Sequence, residues 1–352
     1  MRQINKWLLG SLFAANAVIA TQAIAQDTNL QVDTQASATI SLDKNAIEAT
    51  VPAAFKAAKQ VVIGSFKVGF INYNKATAKS GGGFLSRDKE SRVVLRSKLE
   101  GLAPEHMQAI VDDIYADFSA QLKNQGYEVL DRSTLTALPA FTSISGSPSP
   151  FAVDGVSVVP QAQALYFAPT GQNVVEFNGE ANRGAGFSGL ASIGSRIGSA
   201  NATIALQEIA EKNKLAILNV HYIVNFVNAE GTGGYSRQIT SVSLNQGLTV
   251  MPGSSVSIVT GYQSTFSTKN GSLNLNKAVA SNEQFGEFAE TTSSLEKAAG
   301  VFSMVTGALS GGSSSNTGEY TVNANPQTYQ KIATDLLKAS NAGFASSMAG
   351  LK

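Results

Sequence analysis

The stretch from Pro104 to Arg132, PEHMQAIVDDIYADFSAQLKNQGYEVLDR, constrains the fold more than any other part of the chain. Met107, Ile110, Val111, Ile114, Phe118 and Leu122 recur at three- and four-residue steps, which places them on one face of an α-helix. Pro104 suits a first helical turn, where its missing N–H would have no partner anyway. Gly126 suits the left-handed residue just past a helix end. Tyr127, Val129 and Leu130 then read as a short strand closed by Asp131 and Arg132. A helix that turns at a glycine into a strand has one apolar face to bury, and a sheet buries it.

A second passage repeats this logic. Ala200–Lys214 reads as a helix with Ile204, Ala205, Leu206 and Ile209 on its buried side. Leu215–Asn228, LAILNVHYIVNFVN, is a near-continuous apolar run, as expected of a central strand covered on both faces. Gln60–Asn74 is rich in β-branched and aromatic residues and reads as another strand, with a bulge or bend near Gly69 where alternation breaks. Arg87–Leu102 reads as a strand leading into the first helix. Ile239–Val250 and Ser254–Thr265 read as an antiparallel pair around Met251-Pro252-Gly253. Pro326–Leu351 is a last amphipathic helix with Tyr329, Ile332, Ala333, Leu336, Leu337 and Phe344 on its apolar side. The fold class expected is α/β (α+β): a mixed sheet of about five strands, two or three helices packed on it, and long Gly/Ser-rich inserted loops.

Between these elements the chain is polar and rich in glycine. Residues 26–58 read as an extended or disordered leader, and 59–352 as a single α/β domain with an insert at 139–200 and a flexible linker at 310–318. Ala76–Phe84, with Ser80-Gly81-Gly82-Gly83, reads as a loop, Gly271–Phe288 as loop and short helix, and Ser293–Leu309 as a helix weakened by Gly300 and Gly307. Within the insert, residues 171–198 carry seven glycines and little charge. Phe177, Phe187, Leu190, Ile193 and Ile197 are interspersed there. They are the candidate contacts with a partner or a membrane, in a segment otherwise read as a mobile loop.

Residues 1–25 read as a secretory signal peptide. Arg2 and Lys6 give a basic start, Trp7–Ala20 is mostly apolar, and Ala23-Ile24-Ala25 has the form of a cleavage site. Its loss turns the formal charge from +1 to −1, which gives no general attraction to nucleic acid or anionic lipid. The expected location is the periplasm, outer membrane or cell surface. The absence of cysteine excludes disulfides, thiolate metal sites, cysteine nucleophiles and acylation of a cysteine after the signal.

No catalytic pattern stands out. Neither a nucleotide-binding loop nor a serine-hydrolase or zinc-protease motif is present. The two histidines, His106 and His221, are far apart in sequence and read as structural. Asp112, Asp113 and Asp117 share one helix, and the simplest reading is a solvated face opposite Ile110 and Ile114, as with Glu208 and Glu211 on the second helix. No catalytic residue, cofactor or metal site is expected.

Three passages carry a family resemblance: Val61–Val68 (VVIGSFKV), Ile114–Leu138 (IYADFSAQLKNQGYEVLDRSTLTAL) and Ala202–Phe226 (ATIALQEIAEKNKLAILNVHYIVNF). In this order they resemble the opening strand, the helix-to-strand passage and the second helix with central strand of anticodon-binding-domain-like α/β modules in bacterial envelope proteins. That group includes the curli secretion channel subunit CsgG, the exopolysaccharide lipoprotein PelC and the N-terminal domain of TolB. The chain departs from the group's lipoproteins in lacking the acylated cysteine, and its insert is unusually long; in the channel subunits, inserted hairpins form a membrane barrel. The resemblance implies a non-enzymatic envelope protein, a subunit of an export, surface-assembly or scaffold complex. Its partners would be further copies of itself or another envelope protein, with outer-membrane association and no nucleic acid. The alternative is a soluble periplasmic binding module that uses residues 171–198 to contact a glycan or a protein.

Overall fold

The computed structural model describes residues 30–31, 42, 45–56, 58–80, 91–144, 146–156, 158–175, 191–232, 239–261, 269–291, 304–308 and 314–352. The chain opens with β1 (Leu30–Gln31), β2 (Ile47–Thr50) and a single helical turn, α1 (Ala53–Lys56). A long strand β3 (Gln60–Ser80) pairs back onto β4 (Ser91–Glu100) and leads to helix α2 (Pro104–Asn124) and strand β5 (Glu128–Leu130). Two short turns, α3 (Ser133–Thr136) and α4 (Pro139–Thr142), precede the hairpin β6 (Phe151–Val156) and β7 (Val159–Phe167). Helix α5 (Ala191–Asn213) feeds β8 (Ala216–Thr232), followed by β9 (Ile239–Val250), β10 (Ser255–Val259), β11 (Asn270–Leu275), β12 (Val279–Ser281) and β13 (Gly286–Glu290). The chain finishes with β14 (Met304–Ala308), β15 (Ser314–Ala324) and α6 (Pro326–Gly350).

The α/β class holds, but the sheet is far larger than about five strands. Among the described residues fifteen strands form one connected, branched network, with β12-β9-β8-β3-β4-β15-β13 along its spine. Helices α2 and α6 cover one face, burying Ile110, Ile114, Phe118, Ile332, Leu336 and Phe344 against Phe66, Val220 and Tyr222. Helix α5, with α3 and α4, covers the other through Leu206, Ile209, Leu135 and Phe141 on Val62 and Ile217.

All six apolar positions expected on α2 are buried, and so are the six expected on α6. Gly126 has φ +77. Its N–H donates to Lys123 O at 2.9 Å and the N–H of Tyr127 to Leu122 O at 3.0 Å, the pair of bonds that closes a helix on a left-handed residue. The second helix starts earlier than expected, at Ala191. Its buried stripe is Ala202, Leu206, Ile209 and Ala210, which turns Ile204 outward to 54% exposure.

Several segments expected to be loops are strands. Residues 76–80 continue β3; β11, β12 and β13 occupy 270–290; β14 replaces the end of the expected helix 293–309; and β15 begins at Ser314, inside the expected linker. The leader is tied down as well, because β2 pairs with β11 and β1 with β12. Most of these strands mix polar and small residues with few large apolar ones, and backbone pairing with β4, β9, β10 and β15 orders them. Gly318 lies where a Cβ would stand 2.8 Å from Leu95 Cδ2, so its lack of a side chain lets β15 approach β4.

β9 and β10 do not pair with each other. β10 lies along residues 217–221 of β8 and β9 along 224–232, both antiparallel. The Met251-Pro252-Gly253 turn therefore interrupts one line of pairing rather than reversing the chain. Ser254 Oγ patches the gap by accepting Ile223 N–H at 3.0 Å. The bend expected at Gly69 resolves into two register irregularities that flank it, between Ile63 and Ser65 against β8 and between Ile71 and Tyr73 against β7.

Candidate functional site

The strands extend well past the helices. β3 has 21 residues and β8 has 17, against a usual length of about 5–6. Because β3 and β8 run parallel, their C-terminal halves leave the body at the same end. There β3 pairs with β4 up to Ser80–Ser91, and β8 with β9 up to Thr232–Ser241. β14 joins β9 with Ala308 beside Ile239, and β15 joins β4 with Ser314 beside Ser91. Four pairings among six strands thus end together. A small core of Ala78, Val93, Leu95 and Tyr320, flanked by Ala76 and Phe288, holds this extension and contains no helical residue. The opposite face of β3–β4 carries Lys75, Arg92, Arg96 and Lys98 in phase, with Val94 buried between the two arginines. Arg96 pairs with Glu319 at 2.9 Å and Lys98 with Glu100 at 2.6 Å.

Of the expected contact residues, Phe177, Phe187 and Leu190 lie outside the described residues. Ile193 and Ile197 fall on the first turns of α5, which replaces a loop there with helix; their side chains are outside the description. The two histidines do not converge. His106 is on the first turn of α2, and His221 is on β8 on the sheet face turned away from α2. Of the aspartates of α2 only Asp113 is on a solvated face, half exposed; Asp112 and Asp117 are drawn into the fold. Asp112 accepts from Thr170 N–H and Oγ1, both at 2.7 Å, Asp113 pairs with Lys338 at 2.9 Å, and Asp117 accepts from Asn341 Nδ2 at 2.7 Å. Helical periodicity assigns them the side away from the sheet, but α6 and the turn after β7 lie alongside that side. Glu208 does sit in an exposed i,i+4 pair with Lys212, whereas Glu211 reaches Lys269 across the fold at 2.8 Å. Among the described residues no cluster of His, Asp or Glu is placed to hold a metal ion, and no helix is long and apolar enough to cross a membrane.

The sequence reading missed a buried polar row. Ser65 and Lys67 on β3 stand beside Asn219 and His221 on β8 and are at most 3% exposed. Lys67 Nζ donates to Val175 O at 2.7 Å. His221 Nε2 lies 3.3 Å from Tyr166 Oη, and the two rings are 5.7 Å apart. Among the described residues His221 Nδ1 and Asn219 Oδ1 have no hydrogen-bond partner. The signal was present: in both apolar strands a polar residue recurs at i and i+2. The parallel register that aligns the two pairs is not written in either strand alone.

Burial, and secondarily the charge of Lys67, holds the His221 pKa well below its ordinary 6.5. The folded protein keeps the ring neutral, whereas the unfolded chain binds a proton below about pH 6.5. Stability contributed by the neutral ring is therefore present above pH 6.5 and is lost as pH falls, by up to ~1.4 kcal/mol per pH unit, until the folded pKa is reached. Urea titrations at successive pH values should show this slope, and His221→Asn should flatten it. An unchanged slope in the variant would assign the acid sensitivity elsewhere.

The chain matches no known family model, no characterised protein and no solved structure.

Proposed function

We propose that the chain is an exported, non-enzymatic envelope protein that acts as a subunit of an export, surface-assembly or scaffold complex. The observation that carries this reading is the strand extension. Among the described residues β14 pairs only with β9, and residues 314–318 of β15 pair only with β4. Among the described residues no strand pairs with the outer edge of either, although β14 and β15 run close to each other; proteins that stay monomeric usually cover or blunt such edges, and pairing with another chain is one way to do so. An α/β body with long strand pairs gathered at one end suits lateral pairing between copies. The exposed cations Arg96 and Lys98 of β4 belong in water, so in a ring they would line the aqueous side.

The test is the oligomeric state of the full chain, expressed in a Gram-negative host, in buffer and in mild detergent, together with fractionation of the host envelope. A defined multimer recovered from the membrane fraction is the expected result. A monomer at every concentration, released entirely with the soluble fraction, would sink the proposal and favour a soluble binding module.

A further inference from the structure

A second feature stands apart from the strand extension. Asp131 ends β5 by accepting Ser133 N–H at 2.8 Å, which starts α3 and directs the next side chain, Arg132, between β3 and the short helices. The register irregularity between Ile63 and Ser65 coincides with Gly64, whose carbonyl accepts from Arg132 Nη1 at 2.6 Å. The guanidinium lies over the Phe141 ring, 5.1 Å from its centroid. Burial lowers its pKa from the ordinary range, partly offset by Tyr115, yet an arginine keeps its charge in a protein.

What this cation lacks is a counter-charge. A guanidinium has five N–H donors. Among the described residues Arg132 has one hydrogen-bond acceptor, Gly64 O, and no carboxylate at ion-pair distance. It opens instead onto a cleft of about 260 Å³ lined by Thr136, Phe141, Gln172, Asn173 and Val175, with no acidic side chain among the described residues. A part-buried charge without a partner is costly, and an anion that pairs with it recovers the loss. The planar fork of donors matches the two oxygens of a carboxylate or phosphate. The cleft is slightly below the ~300–1,000 Å³ of drug-sized sites, which limits the occupant to a small molecule or the end group of a larger one.

We propose that this cleft binds a small polar ligand through an oxyanion group, carboxylate or phosphate, paired with Arg132, with hydroxyl and amide contacts from Thr136, Gln172 and Asn173. It is independent of the assembly proposed for the strand extension and would hold for a monomer as well.

The experiment is isothermal titration of the full chain with glucuronate, inorganic phosphate and, at equal ionic strength, chloride. Binding of glucuronate or of phosphate above the chloride control is expected, and which of the two binds identifies the oxyanion. Arg132→Gln should weaken binding by roughly ten- to hundredfold, the usual effect of losing hydrogen bonds to a charged group. Because Arg132 also holds Gly64 O, a second variant leaves the arginine in place: Thr136→Trp, at an exposed position, fills the cleft and should abolish binding while thermal melts report a folded protein. No heat above the chloride control for either probe overturns the proposal, as does binding that survives both substitutions.

Discussion

Replacing Asn341 with Leu should cost about 3–5 kcal/mol of folding stability and lower Tm by about 10 °C. Asn341 is fully buried on α6 and ties three elements together. Its Nδ2 donates to Ile114 O at 3.0 Å and to Asp117 Oδ2 at 2.7 Å on α2, and its Oδ1 accepts from Tyr222 Oη at 2.7 Å on β8. Burial, and then the charge of Asp117, pushes the Tyr222 pKa well above its ordinary value, so the phenol stays protonated and donates. Leucine would fill the space and leave a buried hydroxyl and a carboxylate oxygen unmatched. Tyr222→Phe in the Leu background removes one of the orphans and should restore about 1 kcal/mol. Asn341→Asp should be worse near neutral pH, because it sets a second carboxylate against Asp117, and should recover in acid. Urea denaturation of the four proteins decides the matter: an Asn341→Leu loss within 1 kcal/mol would mean that the three bonds add little.

The second large effect is expected at Gly69. A Cβ there would lie 2.4 Å from Tyr166 Cζ and 2.5 Å from Cε1, inside the ring that covers β3. Gly69→Ala should cost at least the ~1–3 kcal/mol typical of overpacking, because Tyr166 is held between the strand and His221. Gly69→Val should cost more. Tyr166→Ala is destabilising alone, but combined with Gly69→Ala it should be milder than the two costs added, with a coupling of about 1 kcal/mol or more. Additive costs would show that the ring does not press on this glycine.

These two sites also mark what could be read from the sequence. Gly69 was legible as an irregularity in a strand, but not as a platform for a ring 97 residues later in the chain. The buried stripes of α2 and α6 were legible in full, since helical periodicity depends only on the residues themselves. That the two helices lie side by side was not, and this is why Asp117 was assigned to solvent rather than to Asn341. The sheet was undercounted for a related reason. Central strands announce themselves by apolar content, as in Leu215–Asn228. Strands such as Ser314–Ala324 are rich in Ser, Thr, Asn and Gly, and are ordered by a partner more than 200 residues away. Arg132 was visible only as the end of a short strand. Its lack of a carboxylate partner is a property of the tertiary arrangement.

The length of β3 has a mechanical consequence. Twenty-one residues at ~3.3 Å each make a lever of about 70 Å at most, from the α2–β5 turn to the strand ends. A tilt of about 5° at the base would swing the far end by about 6 Å, more than the ~4.8 Å between neighbouring strands. If copies join at their tips, the alignment of those tips depends on how the bodies are angled against one another. Substitutions on the body surface, far from any strand edge, could therefore break the joint as effectively as substitutions within it.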